Sequence, residues 1–341
     1  MRLRALTTTF GLALLGVAAF ELMGLPLPFL FGSMTACLVA ALVGVRLEGV
    51  PVLSNAARAV LGLAVGASVT PALMGQLPTM AVTLAMVPAY VAAIGLIGVP
   101  FFHRLWGFDR VTSYYAAMPG GFQDMIYFGQ LAGGDVRALA LIHATRVLII
   151  VTLVPVLLVG PGGLSLDAPM GVPAADLPGT QMLMMVAVGL VGWKGGARLG
   201  LFGPAILGPL LLAAALSLAG VLQHRPPTEA ILAAQFFIGM GIGMNYRGVT
   251  LAELRRDVAA GAAFALVLAV LAGGVTLLAR SLGGAPWLET FLSFAPGGQA
   301  EMAVLALVAG ADLGFVVAHH LARMLLVITG APLAARWALR R

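Results

Sequence analysis

Ten apolar stretches recur along this chain, at roughly 8–23, 28–45, 57–74, 80–102, 138–159, 179–193, 202–222, 229–245, 258–279 and 313–335, most with no charge between their ends. Each is about the length a helix needs to cross ~30 Å of hydrocarbon, and inside lipid only a helix or a closed barrel can satisfy every backbone group. With 61% hydrophobic residues, 9% charged residues and a mean hydropathy of +1.04, the chain has no polar surface to offer water as a soluble domain. The expected class is an all-α integral membrane protein with ten spans. The net charge of +6 does not point to nucleic acid, because the basic residues are scattered along short loops rather than clustered in a polar domain. Cys37 is the single cysteine, which excludes an intramolecular disulfide and a cysteine-based metal site. The start resembles a secretory signal, but "MLMMVAVGLVGW" in the second half reads as its internal counterpart, so it is taken as the first span.

Two segments do not fit a simple span. "AMPGGFQDM" (117–125) and "FAPGGQAEM" (294–302) set a proline and two glycines inside apolar sequence and follow them with a carboxylate. A shift of 177 residues superposes them, with Asp124 on Glu301 and Met125 on Met302. The same shift brings Gly62 onto Gly239, Gly66 onto Gly243, Asp135 onto Asp312, His143 onto His320, Arg146 onto Arg323 and Pro155 onto Pro332. Pro28 and Gly32 meet Pro204 and Gly208 after a one-residue slip. The chain therefore reads as a duplication: repeat 1 over 1–160, a Pro- and Gly-rich linker over 161–178, and repeat 2 over 179–341.

Orientation follows from charge. If each PGG segment crosses the membrane, the 17 Lys and Arg outside the spans divide into 11 inside and 6 outside. If each enters and leaves by one face, 15 lie inside and only Arg225 and Arg280 outside, which the positive-inside rule favours. Each copy then holds five transmembrane helices and one re-entrant PGG hairpin, about 110–133 and 287–310. The copies are two inverted repeats, and both termini face the cytoplasm.

Arms of 11 or 12 residues, at about 1.5 Å each, bring both turns near the mid-plane. Non-helical backbone there must be buried in protein or line a cavity. Proline stops the first arm, the glycine pair permits positive φ and close approach, and the first amides of the return arm attract anions. Arg146 and Arg323 lie roughly 14 Å deep by helix rise, where a charge costs at least ~3 kcal/mol, so they need partners. His143 and His320 share their helix faces. The expected solute site is thus Pro119, Gly120, Gly121, Gln123, Pro296, Gly297, Gly298, Gln299, Arg146 and Arg323. Asp124, Glu301, His143 and His320 are the expected proton or ion coupling groups. Competing structural readings make PGG a kink capped by the acid, and make each Arg a lock neutralised by Asp124 or Glu301. The runs "GLAVGAS" and "GMGIGMN" have the small-residue spacing of close helix packing.

An enzyme is not expected. The five histidines show no HxH or HExxH spacing, no Ser-His-Asp set or phosphate loop is present, and no cofactor or metal is expected. A channel with opposed half-helices and a membrane-embedded regulator remain alternatives.

The duplicated unit, with "PGGFQDM" and "PGGQAEM" followed by "HATR" and "HLAR", resembles the AbrB family of bacterial membrane proteins, which carry two copies of one hydrophobic repeat. That resemblance covers nearly the whole chain. Members have been labelled ammonia monooxygenases and regulators of an alkylation-response gene; the residues give the first label little support. The expectation is a multi-pass protein of the bacterial inner membrane, a secondary transporter for a small anionic or zwitterionic organic solute coupled to H⁺ or Na⁺. Its partners are that solute, the ion and the bilayer, with no nucleic acid; analogy of architecture adds a homodimer.

Overall fold

The computed structural model describes residues 2–160, 162–166, 168–201 and 203–338, apart from the side chains of residues 72–74, 76, 77, 79, 123, 337 and 338. Arg340 and Arg341, included in the charge count, lie outside the described residues. Helices and no strands form among the described residues. Short π turns are counted here with the helices they continue. Repeat 1 gives α1 (Arg2–Leu22), α2 (Pro28–Leu42), α3 (Pro51–Gly66), α4 (Pro71–Pro100, continued to Leu105), α5 (Arg110–Ala117), α6 (Phe122–Leu131) and α7 (Val136–Val159). Repeat 2 gives α8 (Gly179–Arg198), α9 (Pro204–Leu218), α10 (Thr228–Met244), α11 (Leu251–Gly283), α12 (Trp287–Phe294), α13 (Gln299–Val308) and α14 (Leu313–Ala338).

Five of these, α1, α4, α7, α11 and α14, are long and apolar enough to cross a membrane. The expected spans at 28–45, 57–74, 202–222 and 229–245 are apolar but shorter, at 10–17 residues. The stretch 57–74 is displaced: Pro51 starts α3 at its first turn, the helix stops at Gly66, and Pro71 starts α4. Arg58, counted with the cytoplasmic loops, therefore sits in the middle of α3. Large apolar side chains stay exposed along α1, α8 and α11, among them Leu15, Leu183 and Val270, the last at 75%. Bare to water such faces would favour association; against acyl chains they cost nothing.

The helices gather into two compact units, each drawing on both repeats. Unit 1 holds α1–α3, α8–α10 and most of α13. Its glycine helices pack in two matching contacts. A Cβ on Gly62 or Gly66 of α3 would strike the Ile206 or Leu210 carbonyl of α9, while one on Gly239 or Gly243 of α10 would strike the Leu30 or Met34 carbonyl of α2. Each repeat's glycine helix thus packs on the other repeat's proline-initiated helix, and the two contacts are reciprocal as in an isologous interface. Gly32 likewise abuts the Gly16 carbonyl as Gly208 abuts that of Gly192. Close packing is what the two glycine runs provide.

One backbone conformation recurs at matching positions. Gly203, at φ 55° and ψ 52°, precedes Pro204, and its counterpart Leu27 holds φ 51° and ψ 55° before Pro28. Leu27 is the non-glycine residue at positive φ among the described residues, a conformation that costs ~1 kcal/mol and is retained where Leu27 is buried.

Unit 2 holds most of α4, then α5, α6, most of α7, α11, α12 and most of α14 around an aromatic core that includes Tyr90, Phe102, Phe108, Phe264 and Phe294. Asp109 caps α5 through the Thr112 amide at 2.9 Å, and Asp135 caps α7 through the Arg137 and Ala138 amides, both at 3.0 Å. Thr250 and Glu253 form a capping box at the start of α11. Glu253 also pairs with Arg137 at 2.7 Å, a half-exposed contact of small energetic weight.

The first PGG segment reverses the chain. The Asp135 amide, just past α6, donates to Thr112 Oγ1 in the first turn of α5 at 2.8 Å, so the return arm ends beside the start of the outgoing one. Its two arms run over Arg110–Ala117 and Phe122–Leu131.

Candidate functional site

Each PGG break ends one short helix and begins another, leaving two sets of unpaired backbone groups. Met118 and Ala295, the residues before the prolines, are extended at ψ 130° and 119°, as steric conflict with the proline ring requires. The glycines do not use positive φ: Gly121 lies at φ −62° and ψ 144°, and none of Gly120, Gly121, Gly297 and Gly298 is in the left-handed region. Space is their role in the first turn. A Cβ on Gly120 would meet Met125 Cε at 2.6 Å and Sδ at 2.8 Å, and one on Gly121 would collide with the Asp124 carboxylate. Asp124 therefore folds over the start of α6 as a capping acid would.

On the carbonyl side, buried side chains supply the missing donors. Arg146 Nη1 donates to Met118 O at 3.0 Å and Nη2 to Gly120 O at 2.9 Å, so one guanidinium grips the carbonyls on either side of Pro119. His143 Nε2 lies 3.0 Å from Tyr115 O. Both side chains are held by α7, one turn apart. In repeat 2, His320 Nε2 lies 2.9 Å from Leu292 O, and Arg323 Nη1 donates to Ser293 O at 3.3 Å and, more weakly, to Ala295 O at 3.5 Å. The phenol of Tyr90 caps Phe294 O at 2.7 Å and its ring meets that of Phe294 edge-on. Two helix C-termini, the negative ends of their dipoles, are thereby clamped by His-x-x-Arg pairs.

These carbonyls are the partners that the deep arginines require. Among the described residues of unit 2 neither guanidinium has a carboxylate within 4 Å, so Asp124 does not neutralise them. The two guanidiniums interact with each other and with Tyr90 electrostatically, so unit 2 concentrates positive charge in its interior.

The amide side is different. The first helical bond of α6 runs from the Met125 amide to Gly121 O at 3.0 Å, leaving the amides of Phe122 to Asp124 outside the ladder. Four buried polar atoms of unit 2 also lack a hydrogen-bond partner among the described residues: His143 Nδ1, Arg146 Nε, Ser293 Oγ and Gln299 Nε2. Helix amides outside the ladder and the spare Arg146 Nε and Gln299 Nε2 donors suit an anion, while His143 Nδ1, whose ring proton sits on Nε2, is a spare acceptor.

Unit 2 thus brings together Pro119, Gly120, Gly121, Pro296, Gly297, Gly298, Gln299, Asp124, His143, Arg146, His320 and Arg323. Glu301 belongs to unit 1, within electrostatic reach of Arg58. The Gln123 side chain lies outside the described residues. Sequence reading missed Tyr90 and Ser293. Tyr90 is a lone hydroxyl in an apolar span and has Val267 as its counterpart, so comparing the repeats could not reveal it. A surface cavity of about 450 Å³, lined by Phe128, Leu131, Pro332 and Arg336 among others, reaches Tyr115, the residue whose carbonyl His143 holds.

A family model described as transition state regulatory protein AbrB matches residues 29–339. An Escherichia coli protein named as a candidate regulator, AbrB, is 24% identical over 332 residues, covering 96% of this chain and 94% of its own length. An uncharacterized Bacillus subtilis protein, YhjN, is 27% identical over 279 residues, 76% of this chain and 69% of its own. No solved structure matches.

Proposed function

The chain belongs to the AbrB family, and from that premise we propose that it is a secondary transporter in the bacterial inner membrane for a small anionic or zwitterionic organic solute. In this reading the copies are inverted, the PGG segments are re-entrant, and the termini are cytoplasmic. The solute sits at the two PGG turns, where Arg146 and Arg323 provide charge and the return-arm amides provide donors. Asp124 and Glu301, which make no ion pair among the described residues, are the natural carriers of a coupling H⁺ or Na⁺. Transporters built on broken helices use this division of labour.

What supports the reading above all is the pair of buried His-x-x-Arg clamps with unpartnered polar atoms beside them. A merely structural break would satisfy both of its ends. A regulatory role is the second reading, suggested by the name of the Escherichia coli relative. Solute binding without translocation would favour it.

A thermal-shift screen of purified protein against carboxylates, amino acids, amines and Cu²⁺ finds the solute class. Uptake of the hit into proteoliposomes then tests the site. Arg323→Ala is expected to lower uptake at least tenfold, and Glu301→Gln to remove its dependence on a proton or sodium gradient. Unchanged transport in both variants removes the assignment.

A further inference from the structure

We infer that the solute is a small hydroxycarboxylate whose hydroxyl bridges Arg146 and His143; this deepens the transport reading and rests on it. A carbonyl oxygen can only accept, so His143 Nε2, at 3.0 Å from Tyr115 O, must carry the ring proton. In the neutral ring Nδ1 is then an acceptor, and no donor meets it, although His143 is wholly buried. Arg146 Nε–H is a donor without an acceptor on a side chain only 3% exposed. The two residues lie three apart on one face of α7.

Duplication supplies the internal comparison. In repeat 2 the equivalent acceptor, His320 Nδ1, is met by Arg323 Nη2 at 3.1 Å, so that half is closed on itself. Among the described residues, repeat 1 alone keeps both His Nδ1 and Arg Nε spare and buried. A hydroxyl complements them, since it accepts one hydrogen bond and donates another. An ionised carboxylate has no hydrogen to give Nδ1. An ammonium cannot accept from Arg146, and it would sit beside two guanidiniums. The carboxylate of the same molecule answers the positive charge that Arg146 and Arg323 concentrate in unit 2.

The test is calorimetric titration of the full-length protein in detergent with matched pairs, lactate against propionate and malate against succinate, and with alanine. In at least one pair the hydroxy acid is expected to bind at least tenfold more tightly than its deoxy partner, with alanine weaker than lactate. His143→Phe should abolish that preference, bringing the affinity ratio of hydroxy to deoxy acid close to one. Equal affinities within both pairs would mean that water serves the couple, and would overturn the inference. So would a preference that survives His143→Phe. Should that variant not fold, the wild-type ratios decide alone. Uptake retained without hydroxyl preference refutes only this inference, whereas no carboxylate binding and no uptake refute the transport reading as well.

Discussion

Arg146→Gln is expected to reduce solute uptake at least 100-fold and to destabilise the protein by about 2 to 6 kcal/mol, because the Met118 and Gly120 carbonyls both lose their donor. Each buried carbonyl left unpaired costs ~1–3 kcal/mol, more inside a membrane where water cannot substitute. Arg146→Lys should recover little, since an ammonium on a flexible stem does not reproduce the planar fork that spans Pro119. Arg323→Gln should be milder in stability. Its arm keeps the His320 contact to Leu292 O and the Tyr90 cap on Phe294 O, and the bonds it loses are longer, at 3.3 and 3.5 Å. Thermal melts followed by size-exclusion chromatography check the order; equal losses for the two variants would contradict the clamp account.

The second large effect concerns unit 1. Gly208→Val is expected to leave no recoverable folded protein, and Gly208→Ala to cost about 3 kcal/mol, because the added Cβ meets the Gly192 backbone, which cannot rotate away. Gly32→Val should behave alike against Gly16. Gly189→Val and Gly273→Val are internal controls: nothing lies within 4 Å of a Cβ at either position, so yield and melting temperature should stay within ~0.5 kcal/mol of wild type after allowance for helix propensity.

Features that occur twice were the most legible in the sequence. The PGG boundaries, the packing glycines and the His-x-x-Arg faces each stood out because two copies of a rare pattern align in register. The partners of Arg146 and Arg323 were not legible, since a backbone carbonyl has no residue signature and the nearby carboxylates looked the obvious choice. The same limit hid the capping role of Tyr90, which has no second copy. Of the two freedoms glycine offers, positive φ and close approach, the first PGG turn uses the second, against Met125 and the Asp124 carboxylate. The start of α3 was misjudged because the apolar run begins at Ala57, six residues after the proline that initiates the helix, and Arg58 was lost to a loop as a result. Compact units that each combine both repeats are a long-range property that a linear reading divides at the linker.

The proposed transporter requires two helix breaks that enter from opposite faces. In a Cys37→Ser background, single cysteines at Ala132 and Ala311, just beyond the two return arms, can be labelled in whole cells and inside-out vesicles with a membrane-impermeant maleimide. Labelling of Ala132→Cys only from the cytoplasmic face and of Ala311→Cys only from the periplasmic face is the predicted result. Labelling of both positions from the same face would contradict it.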